Sequence, residues 1–323
     1  MFQYLIRRLL WAGVLFLAVT MVTYVIFFLV PANPARAAAG KIADPQRVAE
    51  VEKFLGLDEP VYVQYGRFLK RLVVDGSLGH SFTNRRSVNE EIFRAAPITA
   101  SLVFGGIIMV LMIAIPLGIF SALRPRSLLD RAAMTYVLIG ISLPSFWIGL
   151  VLSYVIGYKL AWTPIAGYCE VVSVPEAAVC GGVGDWAYRM VLPWLTLSIV
   201  VAGTYVRFVR AEVMETMNQD YVRTARAKGA PERQVMRSHI LRNAMLPVVT
   251  IIGMDIGILL GGSILIETVF GLPGLGRTAY ESIQNFDLPT LQGIVIFGAV
   301  AIILFTLIVD LLYAWIDPRI RLT

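Results

Sequence analysis

The chain has 323 residues, of which 57% are apolar, and its mean hydropathy is +0.72. Charge-free apolar runs of about 20 residues can cross the roughly 30 Å hydrocarbon layer of a bilayer as helices, and this chain has several. The composition therefore excludes an ordinary soluble domain. The net charge of +6 follows the bias of the loops and forms no basic patch, so nucleic acid is not an expected partner.

Six membrane-spanning helices are predicted from the segments between charged residues. They cover residues 9–30, 95–123, 132–158, 190–206, 244–266 and 288–309. The fourth is short, and Asp255 interrupts the fifth. Because a backbone in lipid must satisfy its N–H and C=O groups within the segment, each run is expected to be helical. The predicted fold class is an all-α membrane protein.

The first run has two interpretations. Arg7 and Arg8, the apolar residues after them and the later "PARAAAG" imitate a secretory signal with its cleavage site. The apolar core has 22 residues, however, whereas the core of a signal has about 7–15. A retained span is therefore favoured, and residues 1–30 are assigned to the N-terminus and first span.

Residues 31–97 form a predicted external segment rich in Pro, Gly and charge. Apolar positions such as Phe68 and Leu72 predict a helix in it, and Gly76 and Gly79 are expected to end that helix. We expect this segment to fold into a small cap.

Basic residues in the short loops predict the orientation. On one face, residues 1–8, 123–133, 210–244 and 316–323 carry 14 lysines and arginines. The short loops of the other face carry 3, while the cap segment is too long to count. Because short basic loops stay in the cytoplasm, both termini and the polar stretch 210–244 are predicted to be cytoplasmic.

The two cysteines, Cys169 and Cys180, lie in one loop on the predicted outer face. An oxidising compartment there permits a disulfide. Two free structural thiols are the alternative, and the bridge is favoured because both residues belong to one exposed loop.

Familiar catalytic motifs are missing from the sequence. It contains no G-x-x-x-x-G-K-[ST] phosphate loop, no H-E-x-x-H zinc motif and no G-x-S-x-G nucleophile elbow. Its two histidines, His80 and His239, are far apart in the chain. We therefore expect a non-catalytic chain without a metal or cofactor of its own, which acts together with other proteins.

The stretch "DYVRTARAKGAPERQVMRSHILRNAMLP" (220–247) predicts a helix, a tight bend and a second helix. Gly229 suits the left-handed residue after the first helix, and Pro231 suits the first position of the second. Small side chains at Ala225 and Ala227 would let another surface approach closely. A solvated positive loop is the alternative, and composition alone does not decide between the two.

Several blocks resemble the permeases of dipeptide, oligopeptide and nickel ABC importers. They are "LGLDEPVYVQYGRFL", "GSLGHSF", "LPSFWIGL", "YVRTARAKG", "HILRNAMLP", "ETVFGLPGLGR" and "DLLYAWIDPRIRL". In the general importer pattern E-A-A-x-x-x-G, the E-A-A positions are Arg223, Thr224 and Ala225 here. A Pro usually follows the Gly by 13 residues, whereas Pro247 follows Gly229 by 18, a departure that the peptide group shares.

The resemblance implies a type I importer permease, in which residues 98–323 form the permease domain with a cytoplasmic coupling loop at 211–246. Its partners would be a second homologous permease, two cytoplasmic ATPases that bind ATP and Mg, and an external substrate-binding protein. The location would be the bacterial inner membrane. The ATPase-coupling residues would be Tyr221, Arg223, Thr224, Ala225, Lys228, Gly229 and Glu232.

Four residues are candidates for a translocation path or gate: Ser142, Pro144, Asp255 and Glu267. Ser142 and Pro144 belong to a potential helix break. Asp255 should avoid lipid, so it either lines a hydrated lumen or bonds to a neighbouring helix. Glu267 is expected to contact a gate or the cap. A secondary transporter or channel without ATP coupling remains the alternative function, and the solute stays open.

Overall fold

The computed structural model describes residues 2–29, 44–55, 59–170 and 182–316. Its helices are α1 Phe2–Tyr24, α2 Pro45–Leu55, α3 Val61–Val73, α4 Val88–Leu123, α5 Leu128–Ser142, α6 Ser145–Leu152, α7 Val183–Met217, α8 Asp220–Ala227, α9 Glu232–Gln234, α10 Arg242–Leu260, α11 Ile264–Phe270, α12 Leu275–Gln284 and α13 Leu288–Ile316. Three π-helical segments extend them: Val25–Leu29 after α1, Ser153–Lys159 after α6 and Val235–Leu241 before α10.

Among the described residues, five helices are long and apolar enough to cross a membrane, or six when a bent pair counts as one span. The bent pair is the third predicted span, in which α5 meets α6 and its π extension at 106°. Leu143 and Pro144 have extended backbones at the break, since a residue before proline is disfavoured in a helix. The prediction of an all-α membrane protein is confirmed.

The fourth and fifth predicted spans depart from their expected bounds in an informative way. The fourth is not short, because α7 has 35 residues and continues through Arg189, Arg207 and Arg210. A charged residue marks the edge of the hydrocarbon layer, but the helix can continue beyond that edge. The fifth stops at Leu260, because Gly262 turns the chain with φ +120°, and the backbone restarts as α11.

Glycines allow close packing between the spans. A Cβ at Gly140 of α5 would lie 2.7 Å from the carbonyl oxygen of Ile199 in α7. One at Gly257 of α10 would lie 2.7 Å from the Cα of Ile302 in α13. Small residues let membrane helices approach in this way, and they join α5 to α7 and α10 to α13.

One helix of the cap segment, α3, packs on the bundle. In α3, Phe68 is 3% exposed, and its ring centroid lies 5.4 Å from that of Tyr24, at the end of α1. Both residues share a cluster with Ile296 of α13. Near the other end of α1, Arg8 forms a 2.6 Å ion pair with Asp310 of α13. These contacts join both ends of α1 to the bundle, and retention of the first span stays a prediction.

Candidate coupling bend and translocation path

The predicted bend between α8 and the next helix is present, with Gly229 in the left-handed region. The N–H of Lys228 donates to the carbonyl oxygen of Thr224 (3.0 Å), and that of Ala230 donates to Ala225 (3.2 Å). Gly229 has φ +79°, and a Cβ there would meet nothing within 4 Å. Its backbone conformation, and not crowding, therefore requires glycine.

The second helix begins one residue later than predicted, because Pro231 caps it and Glu232 is its first residue. Arg226 closes the bend by donating two hydrogen bonds to Glu232. They join Nε to Oε2 at 3.1 Å and Nη2 to Oε1 at 2.7 Å. Glu232, predicted as a coupling residue, thus has a partner inside its own chain.

The inner face of the bend packs against the helix bundle. Val222, Val235, Ile240 and Ala244 are completely buried, in a cluster that continues into α4, α5 and α7. Ala225 is half-buried and packs against the same cluster. Ala227 is exposed, and the expectation that the two alanines let another surface approach closely stays a prediction.

The outer face of the bend holds the other predicted coupling residues. Tyr221, Arg223, Thr224 and Lys228 are all exposed. The Tyr221 hydroxyl accepts a 3.0 Å hydrogen bond from Asn243, and this contact joins the start of α8 to α10. The bend thus has an apolar inner face that belongs to the fold and a polar outer face that is open.

Ser142 and Pro144 lie at the break between α5 and α6, and both are exposed in the isolated chain. Beyond the break, α6 packs on α11: a Cβ at Gly149 would lie 3.2 Å from Val269 and 3.3 Å from Phe270. The segments that follow the two breaks therefore pack against each other.

Asp255 bonds to a neighbouring helix. The hydroxyl of Tyr205 in α7 donates to its Oδ2 at 2.6 Å. Tyr205 is 2% exposed, whereas Asp255 is half-buried. Of the two roles expected for Asp255, the structure shows the bond to a neighbouring helix. A role in a hydrated lumen remains a prediction.

Glu267 is fully buried at 0% exposure, so it does not line an open path. Its Oε1 accepts hydrogen bonds from Thr99 of α4 (3.0 Å) and the Ser263 N–H (3.1 Å), and its Oε2 accepts from the Arg277 N–H (3.0 Å). Burial raises the pKa of Glu267, and these donated bonds oppose the rise. The carboxylate of Glu267 therefore joins α4, α11 and α12. The gate or cap contact expected from the sequence stays a prediction.

Cys169 is 1% exposed, and Cys180 lies outside the described residues. The bridge between them stays a prediction.

Two family descriptions together match nearly the whole chain. Residues 114–322 match "binding-protein-dependent transport system inner membrane component", and residues 1–103 match the N-terminal region of the same kind of membrane component. The chain belongs to this family. It is a multi-pass inner-membrane permease, the non-catalytic translocation subunit of a binding-protein-dependent importer. Membership implies an ATPase and a substrate-binding protein as partners.

Proteins that match this permease over nearly its whole length are permeases of named transport systems. It is 35% identical to the dipeptide transport system permease protein of Alkalihalophilus pseudofirmus, covering 99% of this chain and 100% of that protein. It is 38% identical to the glutathione transport system permease protein of Salmonella paratyphi A, covering 99% of both. The solved structure of an amino acid ABC transporter with histidines matches 72% of this chain and 94% of its own, with a TM-score of 0.46 and 18% identity.

Sequence reasoning missed one site of this permease, a buried ion pair near the bend. Asp130, at the start of α5, accepts from Arg210 Nε (2.9 Å) and Nη2 (3.2 Å) and from the Arg126 N–H (2.8 Å). Ser121 at the end of α4 also donates to it. The pattern Ser127-x-x-Asp130 before an apolar run was the available signal, because it marks a helix start. The pair joins α4, α5 and α7 close to the cluster under the bend.

Proposed function

We propose that this permease forms half of the translocation path of an ATP-driven importer for peptides or similar small solutes. The other half is a second homologous permease. Two cytoplasmic ATPases bind ATP and Mg, and an external binding protein delivers the solute. Two full-length relatives named for dipeptide and glutathione transport support the solute class, since glutathione is itself a short peptide.

The observation that carries the proposal is the two-sided bend. Its outer face presents Tyr221, Arg223, Thr224 and Lys228 around an open glycine. Its inner face is continuous with the core of four spans. Because a close-packed interior transmits displacement instead of absorbing it, a subunit that moves the bend also moves those spans. Alternating access requires such a two-state coupling.

The proposed orientation puts both termini and the bend in the cytoplasm. The support is the charge count of 14 against 3 in the short loops. In this orientation the bend faces the compartment that holds ATP, and the break around Glu267 lies near the outer surface.

The proposed path runs along the meeting point of the interrupted spans. Ser142 and Pro144 contribute the exposed break of the third span, and half-buried Asp255 contributes a polar group within the fifth. Glu267 takes part indirectly, because it holds the outer loop in place from a fully buried position.

Two glycine variants test the coupling role. Gly229→Val and the control Gly182→Val both place a side chain at a positive φ, +79° and +99°, where a Cβ would meet nothing within 4 Å. A β-branched residue is strained in that region by about 1–3 kcal/mol. We expect Gly229→Val to insert normally but to lose most binding-protein-stimulated ATP hydrolysis in the reconstituted complex. Gly182→Val should keep it.

Two results would contradict this function. Normal coupling in Gly229→Val would mean that the bend is only a solvated loop. Purification of the intact permease from its native membrane without any ATPase would favour the alternative, a secondary transporter or channel.

A further inference from the structure

A rigid turn precedes the long helix α4 on the proposed outer face. We call residues 76–87 the external turn. The N–H of Ser81 donates to the Arg86 carbonyl oxygen (2.9 Å), and that of Arg85 donates to the Ser81 carbonyl oxygen (3.1 Å). The Asn84 side chain accepts from the Arg86 N–H at 2.9 Å. These bonds fold the backbone of the turn back on itself.

A buried carboxylate anchors the external turn to the bundle. Asp287, just before α13, is 4% exposed. It accepts hydrogen bonds from the Phe82 N–H (2.9 Å), from the Ser81 hydroxyl and from Thr290 (3.0 Å). On the other side, Asn89 of α4 accepts from the Leu78 N–H at 2.8 Å. The turn is thus fixed to the ends of two spans.

The charges of this region divide between an inner and an outer side. Glu91 is directed inward, where it accepts from Asn84 and from Thr290. Glu90 forms an ion pair with Arg94. Both acidic residues are therefore engaged by groups of the same chain.

The outer side presents two arginines. Arg85 and Arg86 are exposed, and within the described parts of the chain neither takes part in an ion pair. Arg85 has φ +61°, a conformation that costs a non-glycine residue free energy and persists only where its surroundings enforce it. The anchored turn enforces it.

We propose that the external turn is a docking contact for an acidic patch on the external substrate-binding protein. The inference rests on the proposed function, which supplies that partner and the orientation. A pre-ordered turn loses little conformational freedom on binding. The planar guanidinium groups of Arg85 and Arg86 match surface carboxylates in bidentate pairs. An arginine contact of this kind acts mainly on the association rate and is sensitive to salt.

The test compares two charge-matched double variants of the full complex. Arg85→Glu/Arg86→Glu reverses the charge of the external turn. The control, Arg67→Glu/Arg94→Glu, reverses the charge at two arginines of the same outer region that already have intrachain partners. ATP hydrolysis is measured in phosphatidylethanolamine vesicles against the concentration of the purified binding protein that stimulates the wild type. The titration is repeated at two salt concentrations and with added phosphatidylglycerol.

We expect the turn variant to need about tenfold more binding protein for half-maximal stimulation, since reversed charges slow association. The maximal rate of ATP hydrolysis should equal that of the wild type. The concentration of binding protein for half-maximal stimulation should depend less on salt in the variant than in the wild type. The control should shift less than twofold. An unchanged turn variant, or equal shifts in both doubles, would overturn the inference. A dependence on phosphatidylglycerol alone would overturn it in favour of a lipid contact, and absence of stimulation in the wild type would instead contradict the proposed function.

Discussion

Two breaks between helices differ in the room around their glycines. At the bend, Gly229 adopts a positive φ, and a Cβ on it would meet nothing within 4 Å. We call residues 261–276, around Glu267, the outer break. There, a Cβ on Gly274 would lie 2.5 Å from Glu267 Oε2, and one on Gly276 would lie 2.6 Å from the nitrogen of Ile264. A crowded break is already satisfied by its own chain, whereas an open break can receive another surface.

The charged groups at the two breaks differ in the same sense. Glu267 is buried, and the groups that donate to it in the described part of the chain include Thr99, Ser263 and Arg277. The Arg226–Glu232 pair at the bend is exposed, with side-chain exposures of 37% and 61%. Buried polar groups are costly to leave unpaired, while exposed pairs contribute little. Substitutions at the outer break should therefore mainly lower the stability of the permease. Substitutions at the bend should mainly change its interaction with the ATPase.

The largest effect on stability is expected at the outer break. Glu267→Ala leaves the Thr99 hydroxyl and two backbone N–H groups buried without an acceptor, at about 1–3 kcal/mol for each group. We expect a large loss of thermal stability, measured by size-exclusion chromatography of heated, detergent-solubilised permease. Glu90→Ala, at an exposed ion pair, should melt like the wild type. Equal melting of the two variants would mean that the outer break is not a closed unit.

An intermediate effect is expected at the ion pair under the bend. Asp130→Asn removes the charge that faces Arg210, whose side chain is 26% exposed. Breaking a largely buried pair is destabilising, and partial exposure of Arg210 reduces the cost to about 2 kcal/mol. The same heating assay measures it, with Asp220→Asn as the control because Asp220 is 98% exposed. A stable Asp130→Asn protein would show that packing alone supports the bend.

The smallest effect is expected at the surface of the bend. Arg226→Gln removes both hydrogen bonds to Glu232, but an exposed pair contributes only about 0.2–1 kcal/mol. The variant should melt close to the wild type and keep most binding-protein-stimulated ATP hydrolysis. A loss of coupling as large as that expected for Gly229→Val would assign a specific role to the charge, and the shape of the bend would then not be the main determinant.

Sequence reasoning located the bend because its signals are local. Gly229 and Pro231 lie two residues apart and act through their own backbone angles. The outer break could not be read in this way, because Glu267 and its partner Thr99 are separated by 168 residues. The inward position of Ala225 was missed for a related reason, since only tertiary packing decides which face of α8 is covered. Apolar runs predicted the spans well, but their ends depended on Gly262 and on charged residues that a helix tolerates outside lipid.

Site-directed cross-linking tests the central claim, that the open face of the bend receives the ATPase. In a permease with Cys169 and Cys180 replaced by serine, Lys228→Cys and Arg124→Cys each carry a cysteine-reactive photo-cross-linker. Both positions are exposed, and both are predicted to be cytoplasmic, but only Lys228 belongs to the bend. Our account predicts a strong adduct between Lys228→Cys and the ATPase that changes in yield when ATP is added, and a weak one from Arg124→Cys. Equal yields from both positions, or no ATPase adduct from Lys228→Cys, would contradict it.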